Sequence, residues 1–461
     1  MALRDRAEEG RRLLDRYLFP ESPANGEGPA RWEKAALTGA LLALAIVLQL
    51  VRIGWTGSLN ALWAEDGPIF VQSAVTQGFG HAIGSEYSGY LVLVPRLIAE
   101  LATLFPLEDA AASVSILSAA VVASSGLAVW YAASGHIADP YLRGTLVLLT
   151  VLTPVGGLET LDSASYVSWY MLFAVFWILL WRPRTLTGAI LGGLLAAAAV
   201  LSNPGAWFFL PVAALRAFAI RDRRDATIVA AYFAASAVQL VAMLGSAYEG
   251  VEPLWTSDIW KVLVQRVVDG AAFGLELGGT AWAHLGWAFL IVLTLGMVAA
   301  FAVGLAKAGG RARAFALVAL PTAIAMFALS VYQRAVGPAM LWPAHAYGGQ
   351  GGRYSIVPVL LVVSAAMIVV EGRRRQAPGR RSPWLPLALV GLLLVSAGAS
   401  FSAADTETRG TPHWDTAVDE AASTCASQGG GDVTIPTSPP GFEMSLPCKQ
   451  LPSASSATSQ R

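Results

Sequence analysis

The chain has 461 residues, 55% of them hydrophobic and 13% charged, with a formal net charge of zero and a mean hydropathy of +0.56. A soluble domain carries roughly 25% charged residues, so this composition excludes an ordinary soluble protein, and the neutral balance points to no nucleic-acid partner. Apolar runs that are continuous rather than alternating, some near the ~20 residues that cross a bilayer, predict helices and not a barrel.

Residues 1–34 mix Arg4, Arg6, Arg11, Arg12 and Arg16 with acids. Leu13, Leu14 and Tyr17 fall at helical spacing, which suits a short helix on a membrane surface; a mobile tail is the other reading. Ser22 to Pro29 reads as a linker. The charged start precedes the apolar run without a small-residue cleavage site, so no cleavable signal peptide is expected. Spans are then expected at Ala35–Ile53, Ala110–Ala133, Gly144–Val155, Val167–Trp181, Leu186–Leu201 and Trp207–Ala219. Others follow at Ala226–Ser246, Ala281–Leu305, Phe315–Val331, Tyr354–Val370 and Trp384–Ser400. This gives an all-α polytopic protein of about eleven spans over residues 35–401. Lys and Arg collect in alternate loops (Arg143; Arg182 and Arg184; Arg221 to Asp225; Lys307 to Arg313; Glu371 to Arg381). By the positive-inside rule these loops and the N-terminus are cytoplasmic, and the C-terminus is outside.

Three outside loops matter most. The first covers residues 54–106 and ends in an interfacial helix over Tyr90 to Phe105. Another, Gly156 to Tyr166, holds Glu159 and Asp162. The third, Ala247 to Thr280, carries an Ile259-Val262-Leu263-Val267 pattern suited to an amphipathic surface helix. The tail, 402–461, has the chain's two cysteines, Cys425 and Cys448, and outside the cytoplasm these are expected to form a disulfide. A helix is predicted over Asp415 to Ala426 and a strand over Asp432 to Ile435.

The first loop concentrates polar chemistry: Glu65-Asp66, His81, Glu86, Tyr87, Tyr90 and Arg96. A carboxylate just outside a bilayer can serve as a general base toward an acceptor hydroxyl, and an adjacent acid can raise its pKa. Capping is the competing reading, because Asp66-Gly67-Pro68 has the form of a helix start. Arg96 suits a phosphate or a partner one turn on, Glu100. His81 and His345 read as acceptor ligands or as polar surface. Glu159 and Asp162 read as groove-lining acids or as solvated charge. Trp63, Tyr87, Tyr90, Trp342 and Tyr347 suit either sugar stacking or an interfacial belt.

An acid pair shortly after span one, followed by GYLVLVPRLIAELATLFP, resembles the GT-C superfamily of membrane glycosyltransferases. So do the Asn203-Pro204 turn into an apolar run ending in Arg216 and the GGRYSIVPVLL entry to a late span at Gly351 to Leu361. The resemblance covers roughly Ala35 to Ser400. It implies transfer of a sugar from a polyprenyl-phosphate donor to a glycan, lipid or protein acceptor on the outer face. It also implies Asp66 as base, Glu65 as its acidic neighbour and Arg353 on the donor phosphate; an interfacial anchor is the other reading of Arg353. No cofactor is expected beyond the donor substrate. A metal is not expected either, because Glu65-Asp66 is not a D-x-D pattern and no His/Cys cluster has ligand spacing. The alternatives are a transporter or flippase of lipid-linked saccharides, or a polymerase. Against a transporter, the acids lie in loops rather than at span centres, and no repeat is visible.

Overall fold

A computed structural model describes residues 2–22, 31–248, 252–253, 255–334, 340, 351–376, 384–401 and 413–451. Five helices are long and apolar enough to cross a membrane: Leu107–Gly135, Arg223–Gly245, Leu290–Lys307, Gly310–Arg334 and Arg353–Gln376. Six shorter apolar helices accompany them, at Ala35–Val51, Pro140–Val151, Ala164–Leu180, Leu186–Val200, Pro204–Phe218 and Trp384–Ala399. Apolar side chains lie bare on several of these helices, among them Leu191, Val241, Leu244, Val292, Leu295, Leu317 and Val395. Apolar surface on this scale needs a cover other than water, and several such helices mark a membrane protein.

The helix Val167–Leu180 is buried at every residue. Its sequence, VSWYMLFAVFWILL, is apolar all round, which is the signature of a helix enclosed on every side. Phe315 stacks on Trp177 at 5.2 Å, and Phe209 meets Phe176 edge-on at 5.7 Å. Such aromatic pairs add about 0.5–1.5 kcal/mol each beyond the area they bury.

At one end of the bundle, charge is organised by pairing. Ala2–Tyr17 is a helix, and its Asp15 is bound by Arg182 and Arg221. Asp225 lies between Arg182 at 2.8 Å and Arg216 at 2.6 Å. The docked helix differs from a mobile tail because Asp15 gives Arg182 a second carboxylate beside Asp225 and bonds Arg221 as well. Arg216 therefore serves this network.

The 255–272 region departs from the surface helix expected of it. Asp258–Leu263 is α-helical and Val264–Asp269 is a π-turn. Ile259, Val262 and Val267 are buried, but so are the polar residues Gln265, Arg266 and Asp269. An amphipathic pattern cannot distinguish a helix lying on lipid from one whose polar face meets buried polar partners.

The tail is a small folded unit. Trp414–Gln428 is a helix, and Asp432–Thr437 pairs antiparallel with Phe442–Pro447, with Val433 opposite Leu446 and Ile435 opposite Met444. Cys425 and Cys448 are bonded. The unit sits on the first loop. Ser438 donates its N–H to Leu62 O, and its carbonyl accepts from Ala64 N. Asn60 exchanges two hydrogen bonds with Asp415, at 2.9 and 3.0 Å. Trp414 Nε1 donates to Leu107 O at 2.8 Å.

Candidate functional site

Glu65 and Asp66 are neighbours with opposite surroundings. They sit in a single 3-10 turn, Ala64–Asp66. Ala64 has φ +47°, a left-handed conformation that costs a residue with a Cβ about 1 kcal/mol or more. Two attachments hold the turn: Ser438 of the tail on the Ala64 amide, and Asp66 on the far side. Asp66 is fully buried. Its carboxylate accepts from Ala164 N at 3.0 Å, Ser165 N at 2.9 Å and Ser165 Oγ at 2.6 Å. Burial raises its pKa to about 6, against the lowering effect of the Ser165 hydrogen bonds.

Glu65 is left facing a cavity of about 520 Å³. Tyr166 donates its hydroxyl to Glu65 Oε2 at 3.0 Å, and Tyr87 donates to Oε1 at 3.3 Å. Burial, with the Glu65 charge adding to it, pushes the Tyr87 hydroxyl above its usual range. The Tyr87 phenol therefore stays protonated and remains a donor. The turn that aims Tyr87 is a short hairpin, Glu86–Tyr87 on Tyr90–Leu91, reversing through Ser88 and Gly89 at positive φ.

Two arginines border the same cavity, Arg334 and Arg353. Arg353 bonds Glu159 through Nη1 at 3.0 Å and through its backbone N–H at 2.9 Å. Its guanidinium lies 5.0 Å from the Tyr166 ring and 4.9 Å from that of Tyr354, a cation–π arrangement. Arg334, the last residue of its helix, has no carboxylate in ion-pair distance among the described residues. Tyr90, Ser168, Trp169, Asn203 and Trp207 complete much of the wall. Asn203 is held by a hydrogen bond to Ser168 Oγ at 3.1 Å while its side chain caps Gly205 N at 2.8 Å.

The expected residues are thus partly gathered. Glu65, Tyr87, Tyr90 and Arg353 share the cavity. Asp66 does not line it; both its oxygens are engaged by residues 164–165, so a base open to substrate does not fit its surroundings, and these bonds make it an anchor. Arg96 is buried beneath Phe70 at 5.6 Å and donates to Glu86 O at 3.3 Å. The expected Arg96–Glu100 ion pair is not made, since Glu100 Oε1 and two Arg96 nitrogens have no partner. His81 is exposed on the short helix Phe79–Gly84. Trp63 is buried beside Ser438, unable to stack on a ligand. Asp162 is buried and accepts from Ser58 Oγ at 2.7 Å, and Glu159 is the partner of Arg353 rather than solvated charge. His345, Trp342 and Tyr347 lie outside the described residues. Tyr166, Arg334 and Trp207 escaped sequence reasoning. Tyr166 closes an acidic loop and Arg334 ends an apolar run, positions at which a belt or an anchor is the ordinary reading. Among the described residues no three His, Cys, Asp or Glu side chains gather as metal ligands.

No protein-family model, curated protein or solved structure matches this chain.

Proposed function

We propose that the chain is an inverting glycosyltransferase that moves a sugar from a polyprenyl-phosphate donor to a glycan, lipid or protein acceptor of the cell envelope. The observation that carries this reading is one cavity with an acid held by two tyrosine hydroxyls and two bordering arginines. In the proposed reaction the acceptor hydroxyl gives its proton to Glu65 as its oxygen bonds to the anomeric carbon. The bond from that carbon to the phosphate oxygen breaks, and the electron pair leaves with the polyprenyl phosphate. Arg334 and Arg353 stabilise the charge that appears there. Glu65 takes the role that sequence alone gives Asp66. Asp66 fixes the turn.

In this reading the five long and six shorter apolar helices form the eleven spans, the Arg182–Arg216–Asp225 end is cytoplasmic, and the cavity opens to the outer face. The basic loops support that orientation. A membrane-impermeant maleimide, applied to intact cells after mild reduction, is expected to label Cys425 and Cys448; labelling only after permeabilisation reverses the topology.

The test of the chemistry is sugar transfer from a radiolabelled polyprenyl-phosphate sugar in membranes at matched expression. Glu65→Gln is expected to lose about 10²-fold or more, and Asp66→Asn less. If Asp66→Asn is the inactive one while folded, the roles are exchanged. Full activity in both variants means that neither acid is the base, and no transfer by the wild type removes the transferase reading and leaves transport or polymerisation.

A further inference from the structure

A second cavity, of about 230 Å³, is lined by Arg16, His136, Arg311, Glu371, Arg375 and Gln376, among others. It lies at the far end of the bundle from Glu65. Gly310–Arg334 and Arg353–Gln376 each have one end at either cavity, and 25 helical residues span about 37 Å. Three guanidiniums here face one carboxylate. Arg375 holds Glu371 through Nη2 at 3.0 Å and Nε at 3.2 Å. Arg311 has only the Gly135 carbonyl, at 3.3 Å from Nη1, and Arg16 rests on the Tyr17 ring at 5.3 Å. Neither has a carboxylate partner among the described residues.

His136 adds a second, independent feature. Its ring is 1% exposed, wedged edge-on between Trp177 at 5.8 Å and Phe315 at 5.5 Å. Nε2 lies 3.1 Å from the Leu18 carbonyl. A carbonyl only accepts, so Nε2 carries the hydrogen and Nδ1 presents a bare lone pair. That Nδ1 is buried and has no hydrogen-bond partner among the described residues. Burial, then the neighbouring Arg311 charge, pull the His136 pKa down to about 3, so the ring is neutral. The cavity thus combines surplus cationic donors with one acceptor that needs a hydrogen. Sulfate and carboxylates satisfy the first demand and, ionised, have no hydrogen for the second. A monoprotonated phosphate satisfies both, and with a second pKa near 6 a phosphate monoester keeps a share of that form near neutral pH.

We propose that this cavity binds the monoprotonated phosphate of inorganic phosphate or a phosphomonoester, with Arg311 and Arg16 on its anionic oxygens and His136 Nδ1 accepting its P–OH hydrogen. The site is separate from the Glu65 cavity and does not depend on its function. A lipid headgroup and a free phosphate offer the same group.

The experiment uses the full-length protein in zwitterionic nanodiscs and measures binding of radiolabelled inorganic phosphate, with sulfate as competitor. Phosphate is expected to bind at least about tenfold more tightly than sulfate, the cost of leaving one buried acceptor unpaired. His136→Phe, which keeps the ring packing, is expected to erase that preference. Arg311→Gln is expected to weaken phosphate about tenfold, while Arg12→Gln, which removes an exposed charge one turn from Arg16, leaves it unchanged. If Arg311→Gln does not fold, the exposed Arg16→Gln carries the same expectation at about threefold. Nanodiscs with phosphatidic acid separate the sources: loss of phosphate binding identifies a lipid headgroup as the stronger ligand, and unchanged binding a soluble phosphate. Equal binding of sulfate, no binding of phosphate, or equal loss in Arg12→Gln and the pocket variants overturns the proposal.

Discussion

Glu65 and Asp66 show how one peptide bond separates two chemistries. Asp66 meets two backbone N–H groups and a hydroxyl of residues 164–165. Glu65 meets two phenols at a cavity wall. Asp66→Ala is expected to destabilise the protein by about 1–3 kcal/mol, because the amides of Ala164 and Ser165 lose their buried acceptor; thermal melting in detergent measures this. Asp66 also predicts a pH dependence. Its folded pKa of about 6 lies above the unfolded value near 4. The folded state therefore holds a proton that the unfolded state has released between those values. Stability from this group is full below about pH 4 and is lost as pH rises through about 6, on the order of 2–3 kcal/mol in all. That slope should vanish in Asp66→Asn. At the other wall, Arg353→Gln is expected to leave Glu159 with the backbone N–H of residue 353 alone and to lower sugar transfer about tenfold or more, read as kcat/KM under the membrane assay.

At the scale of elements, the tail is a support for the acid turn. Ser438 bridges residues 62 and 64, and Ser445 N and Gln450 Nε2 bind Gln72 and the Val75 carbonyl at 2.9 and 2.8 Å. Gly67 explains the closeness of the fit: a Cβ there would stand 2.7 Å from Thr437 Cγ2. Gly67→Val is therefore expected to lift the hairpin from the loop, seen as faster hydrogen exchange at the Ala64 amide. Breaking the Cys425–Cys448 bond, which closes a sequence separation of 23, removes about 3 kcal/mol from a unit with a small core. Cys425→Ser with Cys448→Ser should raise exchange at the same amide. Unchanged exchange in both variants would mean that the turn holds itself.

At the scale of the molecule, the two ends of the bundle are kept distinct by buried charge. Asp225 serves two buried arginines, and Asp225→Asn is expected to cost about 3–5 kcal/mol by leaving Arg216 without a carboxylate and Arg182 with Asp15 alone. A fall in detergent melting temperature measures it, and a neutral result would mean that the carbonyls of Phe19, Trp181 and Ala219 suffice for both guanidiniums.

Composition and hydropathy by themselves determined the membrane class, the positions of most apolar helices and the paired cysteines, because each rests on local sums: how apolar a run is, how long it is, and what flanks it. The first loop was also legible as the richest polar stretch near a span. Contacts between residues about a hundred or more apart decided the rest. Which acid faces the cavity depends on Ser165, and how the turn is held depends on Ser438. Arg353 meets Glu159 across a separation of 194 residues, and Asp15 finds Arg182 across 167. A carboxylate's role follows from its partners and its exposure, and neither is a property of the segment that carries it.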